Sequence, residues 1–270
     1  MRIAAALKRL APQEAPPVDW SAAPAYVWTG RSVRRIDLIS APPLSRFQGI
    51  DRQRDTIAMN VARHAAGEAA HDMLLWGARG TGKSALFRSA VKAARDSGAN
   101  VALVQVAGDA LIDLPDLFAA LRAIDRQFWL FLDDLGFAAD EPGGPRRLRS
   151  WLEGGVEARP ANCRLAVTTN RRAIVHRNAE RTDDGRHARD DEDDDLALAD
   201  RFGLSLGFHV PDQETYLAIV RAHAEPLGLA VEDAKALEWA RRRGARSGRT
   251  AWQYVVELAG QAGLPGDALL

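Results

Sequence analysis

Residues 77–84 read Gly77-Ala78-Arg79-Gly80-Thr81-Gly82-Lys83-Ser84, and this stretch decides which fold we expect. It fits the pattern G-x-x-x-x-G-K-[ST] of a phosphate-cradling P-loop. The apolar run at 73–76 predicts a buried strand before it, and the amphipathic segment from 85 to about 97 predicts a helix after it. Unpaired backbone N–H groups at a helix start converge on an anion, and the helix dipole favours negative charge there. The stretch therefore predicts a nucleoside triphosphate site.

The residue types in this stretch each serve phosphate binding. Glycines let the backbone approach closely and adopt positive φ. Lys83, which we expect to be exposed at the turn, would reach the β- and γ-phosphate oxygens, and the Ser84 hydroxyl would hold Mg²⁺. The predicted nucleotide contacts are Gly77, Ala78, Arg79, Gly80, Thr81, Gly82, Lys83, Ser84 and Ala85.

Composition sets limits on the class of protein. The 270 residues carry 36 basic and 36 acidic side chains, so net charge gives no argument for a nucleic-acid or membrane-surface protein, although a local patch remains open. The single cysteine, Cys163, excludes an intrachain disulfide and a cysteine-rich zinc site. The first ten residues lack a signal-peptide pattern, and no apolar run approaches the ~18 residues of a membrane helix. We therefore expect a cytoplasmic protein without a membrane partner.

The first 45 residues differ in character from the rest. They hold six of the thirteen prolines, which argues against regular core structure and predicts an N-terminal extension at 1–45. Within it, Ala25-Tyr26-Val27-Trp28 predicts an extended arm that docks on its own or a neighbour's surface; a loose tail is the alternative. From Phe47 onward, Gly49 predicts a turn and Asp51 the cap of a helix that runs towards residue 66. Many P-loop ATPases place a segment that flanks the adenine here.

Two strand ends carry polar residues suited to phosphate chemistry. The apolar run at 128–132 ends in Asp133-Asp134, which matches a Walker B element. Asp133 would bind the Mg²⁺ shell directly or through water, and Asp134 would polarise the attacking water. The run at 164–169 ends in Asn170, where a water-orienting side chain is expected. Turn and capping roles are the structural alternatives for these three residues.

Helices and strands alternate through the middle of the chain. With further strands predicted at 100–106 and 206–210, the chain has five candidate strands separated by helices, which implies a parallel sheet covered on both faces. Further helices are predicted at 114–124, 145–157 and 196–202. A charged insertion at 171–195, with an acidic run at 190–195, predicts a solvated loop.

Three short helices after the last strand, at 215–225, 231–243 and 250–262, predict a helical lid. An arginine-rich turn at 241–249 joins the last two. Arg249 lies at the first turn of the final helix, which is unfavourable for the helix dipole unless an anion is near. Phosphate contact, a basic nucleic-acid patch and a plain solvated turn all remain open for this segment.

The ordered set of P-loop, Asp133-Asp134, Asn170, Asp200-Arg201-Phe202 and a lid with Arg249 resembles the AAA+ ATPases over about residues 46–262. More closely, the P-loop and its flanks, the segment 152–160, Thr169-Asn170-Arg171-Arg172 and Asp200-Arg201-Phe202-Gly203-Leu204 are similar to a bacterial AAA+ family known as domain of unknown function 815. The resemblance implies a five-stranded αβα core at 46–210 and a helical lid at 211–270, with ATP and Mg²⁺ as cofactors.

The resemblance also implies roles for three residues. Asn170 corresponds to sensor 1, and Arg201 corresponds to an arginine finger offered to the nucleotide of a neighbouring subunit in a homo-oligomer. Arg249 suits sensor 2 better than Arg246, because an apolar helix face follows it.

Two departures from the resembled pattern bear on activity. Asp134 stands where a catalytic glutamate is usual, which makes slow hydrolysis plausible, and 106–114 lacks the aromatic-glycine pore loop of protein-threading relatives. We expect an ATPase that assembles head to tail to remodel or load a protein or nucleic-acid client. The alternative is an ATP-regulated binding switch with little turnover. The absence of an Asn-Lys-x-Asp motif disfavours a GTPase, and a helical region placed after the last strand disfavours a small-molecule kinase.

Overall fold

A computed structural model of the protein describes residues 18–135, 152, 159–170 and 200–269. Within these ranges the chain forms a seven-stranded sheet and six α-helices. The strands are β1 (Ala25–Trp28), β2 (Val33–Ile36), β3 (Met73–Gly77), β4 (Val101–Val106), β5 (Gln127–Leu132), β6 (Cys163–Thr169) and β7 (Leu204–Phe208). The helices are α1 (Asp51–Ala65), α2 (Lys83–Asp96), α3 (Leu114–Leu121), α4 (Gln213–Ala224), α5 (Asp233–Arg242) and α6 (Gly248–Gln261).

The strand order explains where the predicted site residues meet. The sheet runs β2-β1-β4-β5-β6-β3-β7, and every neighbouring pair is parallel except β1 and β2. The five predicted strands lie side by side, and β3 lies between β6 and β7. Parallel strands place their carboxyl ends at one edge of the sheet, which we call the carboxyl edge. The segments after β3, β5 and β6 therefore leave the sheet next to one another.

The sheet has seven strands rather than the predicted five, because the N-terminal arm adds two. β1 pairs in parallel with β4, with Ala25 opposite Leu103 and Trp28 opposite Val106, and β2 returns antiparallel to β1. The prolines, which led us to expect no regular core structure, flank this strand pair and do not interrupt it; Pro24 directly precedes β1. The arm thus lies on the chain's own sheet.

Buried polar groups anchor the arm to the body of the protein. The Arg126 guanidinium is 5% exposed and donates hydrogen bonds to the carbonyl oxygens of Trp20 and Ala23, both at 2.8 Å. The Tyr26 hydroxyl donates to the Asp19 carbonyl at 2.8 Å and accepts from the Ala23 N–H at 3.0 Å. The Trp20 ring packs 4.8 Å from that of Tyr26. Both the backbone and the side chains of the arm thus take part in the contacts that fix it in place.

Three apolar clusters form the interior of the described residues. Two lie on the opposite faces of the sheet, as alternation along each strand requires, and α1 and α2 cover one of them with Ile57, Val61, Leu86 and Phe87. The third joins α4, α5 and α6 through Tyr216, Val220, Ala236, Ala251, Tyr254 and Val255. The predicted parallel α/β layers and the three helices that follow the last strand are thus confirmed.

Several predicted segments lie outside the described residues. These are the helix at 145–157, except Leu152, the charged insertion at 171–195 and the first part of the helix at 196–202. At the end of that last segment, Asp200 and Arg201 form a turn and not a helix. β7 begins and ends two residues earlier than the strand predicted at 206–210. Its pairing with β3 ends where Phe208 lies opposite Gly77. None of the helices in the described ranges is both long and apolar enough to cross a membrane.

Candidate functional site

The P-loop connects β3 to α2 through glycines that no other residue could replace without strain. Gly77 has φ 134° and Gly82 has φ 98°, backbone conformations that residues other than glycine rarely adopt. A methyl group at Gly77 would lie 1.9 Å from the carbonyl oxygen of Phe208, on the adjacent strand β7. The loop is therefore pressed closely against the sheet before it turns into α2, whose first turn contains Ala85.

Lys83 begins α2 and folds back over the loop. It is 6% exposed, so the expectation of an exposed lysine is wrong: its ammonium donates to the carbonyl oxygens of Gly77 at 2.7 Å and Ala78 at 2.8 Å. It also lies 3.4 Å from Asn170 Oδ1. Burial lowers the pKa of Lys83, while the nearby carboxylates of Asp134 and Asp133 raise it in part. The loop thus holds a cation pointing back across its own turn.

Asp133, directly after β5, joins the P-loop to β6. Its Oδ1 accepts hydrogen bonds from the hydroxyl of Ser84 at 2.5 Å and from that of Thr168 at 2.7 Å. Adjacent carboxylate and hydroxyl oxygens are the hard donors that Mg²⁺ prefers, with water and phosphate oxygens completing its shell. Ser84 and Asp133 therefore fit a Mg²⁺ ion held together with a bound triphosphate.

Asp134 has an unusual backbone conformation and two side-chain partners. Its φ is 54°, in the left-handed region, and its N–H donates to the Thr168 hydroxyl at 2.8 Å. Its Oδ1 accepts a hydrogen bond from the Asn170 amide, and its Oδ2 lies 3.4 Å from Arg79 Nη2. Asparagine and aspartate tolerate this backbone region better than most residues. The turn projects the carboxylate, which is 56% exposed, over the carboxyl edge.

Thr168 was missed by the sequence analysis. It is 1% exposed, and its single hydroxyl donates to Asp133 and accepts from the Asp134 N–H. Its carbonyl oxygen accepts from the Leu135 N–H at 2.7 Å. The available signal was a pair of threonines directly after the apolar run at 165–167, where a buried hydroxyl requires a partner.

The start of α6 lies against the P-loop. Ser247 caps the helix by accepting from the Thr250 N–H at 3.1 Å, and the Arg249 N–H donates to the Gly80 carbonyl oxygen at 3.3 Å. A methyl group at Gly80 would come within 3.0 Å of the Ser247 hydroxyl. The structure thus brings the backbone of Arg249, not that of Arg246, into contact with the loop.

The start of α1 lies on another side of the loop. The side chains of Phe47 and Ile50 approach to 3.7 Å from where a methyl group on Gly82 would lie. Gln53 donates to the Gly207 carbonyl oxygen at 2.9 Å and ties α1 to β7. Asp51, expected as the helix cap, is the first helical residue, and Ile50 occupies the cap position. This apolar surface lies where the sequence predicted a segment beside the base.

Arg201 is the predicted site residue that the structure places elsewhere. It precedes β7, which starts opposite Met73 at the beginning of β3 and ends opposite Gly77 at the P-loop. The five residues of β7 separate the two ends by roughly 13 Å at the usual rise per residue. Arg201 is exposed at the opposite edge of the sheet from its own P-loop.

The arrangement allows a comparison with known proteins. Residues 21–262 match the model of the family described as Protein of unknown function (DUF815). The chain belongs to this family. A search of curated protein sequences finds no significant match to this DUF815 chain.

Solved structures with this fold include two AAA+ ATPases. RuvB of Thermotoga maritima, a Holliday junction branch migration motor, aligns with TM-score 0.53 and 19% identity over 86% of this chain and 70% of that one. A single-residue variant of the same protein gives TM-score 0.55 and 19% identity over the same shares. ORC1 of Aeropyrum pernix, solved in complex with DNA, gives TM-score 0.56 and 18% identity over 82% of this chain and 64% of that one. This DUF815 protein therefore has the AAA+ fold.

Proposed function

We propose that this DUF815 protein binds MgATP at the carboxyl edge and hydrolyses it. The observation that carries the proposal is the hydrogen-bonded convergence of side chains that follow three different strands. Lys83 and Ser84 come from the P-loop after β3, Asp133 and Asp134 follow β5, and Asn170 follows β6. A cation, a hydroxyl, two carboxylates and an amide are the groups that phosphoryl transfer to water requires.

Binding of the triphosphate would use the P-loop backbone and Lys83. N–H groups at the start of α2 and the helix dipole favour phosphate there, and the Lys83 ammonium would exchange its contacts with the loop carbonyls for phosphate oxygens. Ser84 and Asp133 would hold Mg²⁺, which neutralises charge on the β- and γ-phosphates. The apolar surface of Phe47 and Ile50 would lie beside the base.

Hydrolysis would use Asp134 as the base and Asn170 as its positioning partner. Asp134 would accept a proton as the water oxygen attacks the γ-phosphorus, while the bond to the bridging oxygen breaks and ADP leaves. The Asn170 amide, which already contacts Asp134 and Lys83, would orient the water. An aspartate is one methylene shorter than the usual glutamate, so we propose slow turnover.

The position of Arg201 supports an arginine finger that acts between subunits. Because it lies at the far edge of the sheet, its guanidinium is remote from its own P-loop, and in a head-to-tail homo-oligomer it would face the site of a neighbouring subunit. A permanently charged planar group there would stabilise charge developing on the transferred phosphoryl group.

We further propose that the core at 46–210 and the lid at 211–270 act as the two moving parts of a cytoplasmic AAA+ machine. The contact of Arg249 with Gly80 supports this, because the lid touches the phosphate-binding loop itself. The Arg249 guanidinium, rather than that of Arg246, would serve as sensor 2. Lid motion driven by hydrolysis would remodel or load a macromolecular client.

A second candidate function is a nucleotide-dependent switch with little turnover. The observation in its favour is that both carboxylate oxygens of Asp134 already have partners, Asn170 and Arg79. A base that already accepts one donor on each oxygen has fewer open sites for the attacking water and would be slow, and nucleotide occupancy alone would then set the affinity for a partner.

Steady-state ATP turnover, measured from well below to well above the concentration at which the protein assembles, distinguishes the two functions. A hydrolase with a finger in trans should gain turnover per subunit as assembly proceeds. A switch should bind ATP yet show the same low turnover at every concentration. Failure of the wild-type protein to bind MgATP would refute both.

A further inference from the structure

We propose that Arg79 is a positioning residue that responds to the third phosphate. In this structure its guanidinium lies 3.4 Å from one carboxylate oxygen of Asp134, and a γ-phosphate in the P-loop would bind the guanidinium instead and release that oxygen. This inference rests on the proposed ATP site and adds a step to it, in which ATP, but not ADP, frees the base.

The first support is the state of the Asp134 carboxylate. Its φ of 54° and the bond from its N–H to Thr168 set the direction in which the side chain leaves the turn. The Asn170 amide contacts Oδ1, and Arg79 lies 3.4 Å from Oδ2. Each oxygen of the carboxylate therefore has one of its acceptor sites occupied. The departure of Arg79 would leave Oδ2 entirely open to the attacking water.

The second support is that Arg79 is the donor better able to leave. Its side chain is 74% exposed and its contact with Asp134 is long, which describes a weak surface ion pair. Asn170, by contrast, also contacts Lys83 across the site. Lys83 itself is buried and tied to two loop carbonyls. Of these three groups, Arg79 therefore exchanges partners at the lowest cost.

The third support is that Arg79 belongs to the loop that would receive the phosphates. It lies between Ala78 and Gly80, on the turn whose carbonyl oxygens contact Lys83 and Arg249. A guanidinium can form two charge-assisted hydrogen bonds to a phosphate, whereas its contact with Asp134 is a single one at 3.4 Å.

The alternative is that Arg79 only forms a surface ion pair with Asp134 and has no role in nucleotide binding. The two explanations differ in what they predict for nucleotide selectivity. An arginine taken over by the γ-phosphate strengthens ATP binding and leaves ADP binding nearly unchanged. An arginine that only balances surface charge affects both nucleotides alike or neither.

The experiment is calorimetric titration of MgATP and MgADP into the full-length wild-type protein, Arg79→Ala and Arg79→Lys. Arg63→Ala, which removes an exposed arginine from α1, controls for net charge. For Arg79→Ala we expect ATP affinity to fall about tenfold, the scale of a charge-assisted hydrogen bond, and ADP affinity to change less than about twofold. Arg79→Lys should recover part of the loss, and Arg63→Ala should match the wild type.

An equal effect of Arg79→Ala on both nucleotides, or no effect on either, would overturn the inference. Neither result would touch the proposed ATP site, which is refuted if the wild-type protein does not bind MgATP. Because Arg79 is largely exposed, we expect Arg79→Ala to fold, and a thermal melt checks this. If Arg79→Ala does not fold, the more conservative Arg79→Lys allows the same comparison of ATP affinity with ADP affinity.

Discussion

Two regions of the molecule are stabilised by different kinds of contact. One is the N-terminal arm, which contains β1 and β2, and the other is the carboxyl edge at β3, β5 and β6. The arm depends on burial: Trp20 and Tyr26 are 5% and 1% exposed, and Arg126 donates to backbone oxygens inside the protein. The carboxyl edge depends on polar contacts among side chains, several of them exposed, such as the pair of Arg79 and Asp134.

This difference separates stability from chemistry. The buried contacts of the arm stabilise the fold and lie several strands away from β3, whereas partly exposed polar pairs such as Arg79 and Asp134 contribute little stability and can change partners. We therefore expect substitutions in the arm to alter the free energy of unfolding without altering nucleotide binding. Substitutions at the carboxyl edge should do the reverse.

The largest effect is expected for Asp134→Asn. It should lower ATP turnover by about 10²–10⁴, the usual contribution of a positioned acid–base group, while ATP affinity and the melting temperature change little. Asp133→Asn is the matched neighbour and should instead weaken the Mg²⁺ dependence of ATP binding. Turnover, calorimetry and a thermal melt on both variants provide the measurements. Identical behaviour of the two would contradict the division of roles between them.

A comparable or smaller loss, about 10³ in turnover, is expected for Arg201→Ala. This is the low end of the effect of arginine fingers in GTPases, because Asp134 already limits the chemistry. The sharper experiment mixes Arg201→Ala with Lys83→Ala. Each alone should be nearly inactive, and mixed assemblies should regain part of the turnover, since some interfaces join an intact P-loop to an intact finger. Full activity of Arg201→Ala alone would make this arginine a surface residue.

The smallest effect on turnover is expected in the arm, for Arg126→Ala. Losing the donor to two buried carbonyl oxygens should reduce the free energy of unfolding by about 2–4 kcal/mol. ATP affinity should stay within about twofold of the wild type. Urea denaturation measures the free energy of unfolding, and calorimetry measures the ATP affinity. Asp134→Asn is the counterpart that we expect to be stable but inactive. A loss of ATP affinity as large as the loss of stability would break the separation between the two regions.

The sequence predicted the carboxyl edge well because its chemistry dictates residue types at fixed spacings. The P-loop needs glycines at positive φ, a lysine and a hydroxyl, and the strand-end residues Asp133, Asp134 and Asn170 lie where the sheet order brings them together. Thr168 was missed because a threonine in a strand is also favoured by β propensity alone. The burial of Lys83 was missed because it depends on loop carbonyls that no sequence pattern records.

The arm was predicted only in part: its extended segment Ala25–Trp28 does dock on the chain's own surface, but its place in the sheet was missed because burial by tertiary contacts leaves a weak local signal. Its prolines suggested irregular structure, yet β1 completes pairing along the edge of β4, and the partner that holds it, Arg126, is about a hundred residues away in sequence. The sequence around a single arginine that precedes a strand does not predict that its side chain will be buried. The catalytic and binding roles of the site residues remain predictions.

The most direct test of the central claim is calorimetric titration of MgATP into the wild-type protein and into Lys83→Ala, with a thermal melt of each because Lys83 is buried. If the carboxyl edge is an ATP site, the wild type should bind MgATP, and Lys83→Ala should lose about 100-fold or more in affinity while remaining folded. Equal affinity of the two folded proteins for MgATP, or no binding by the wild type, would contradict the account.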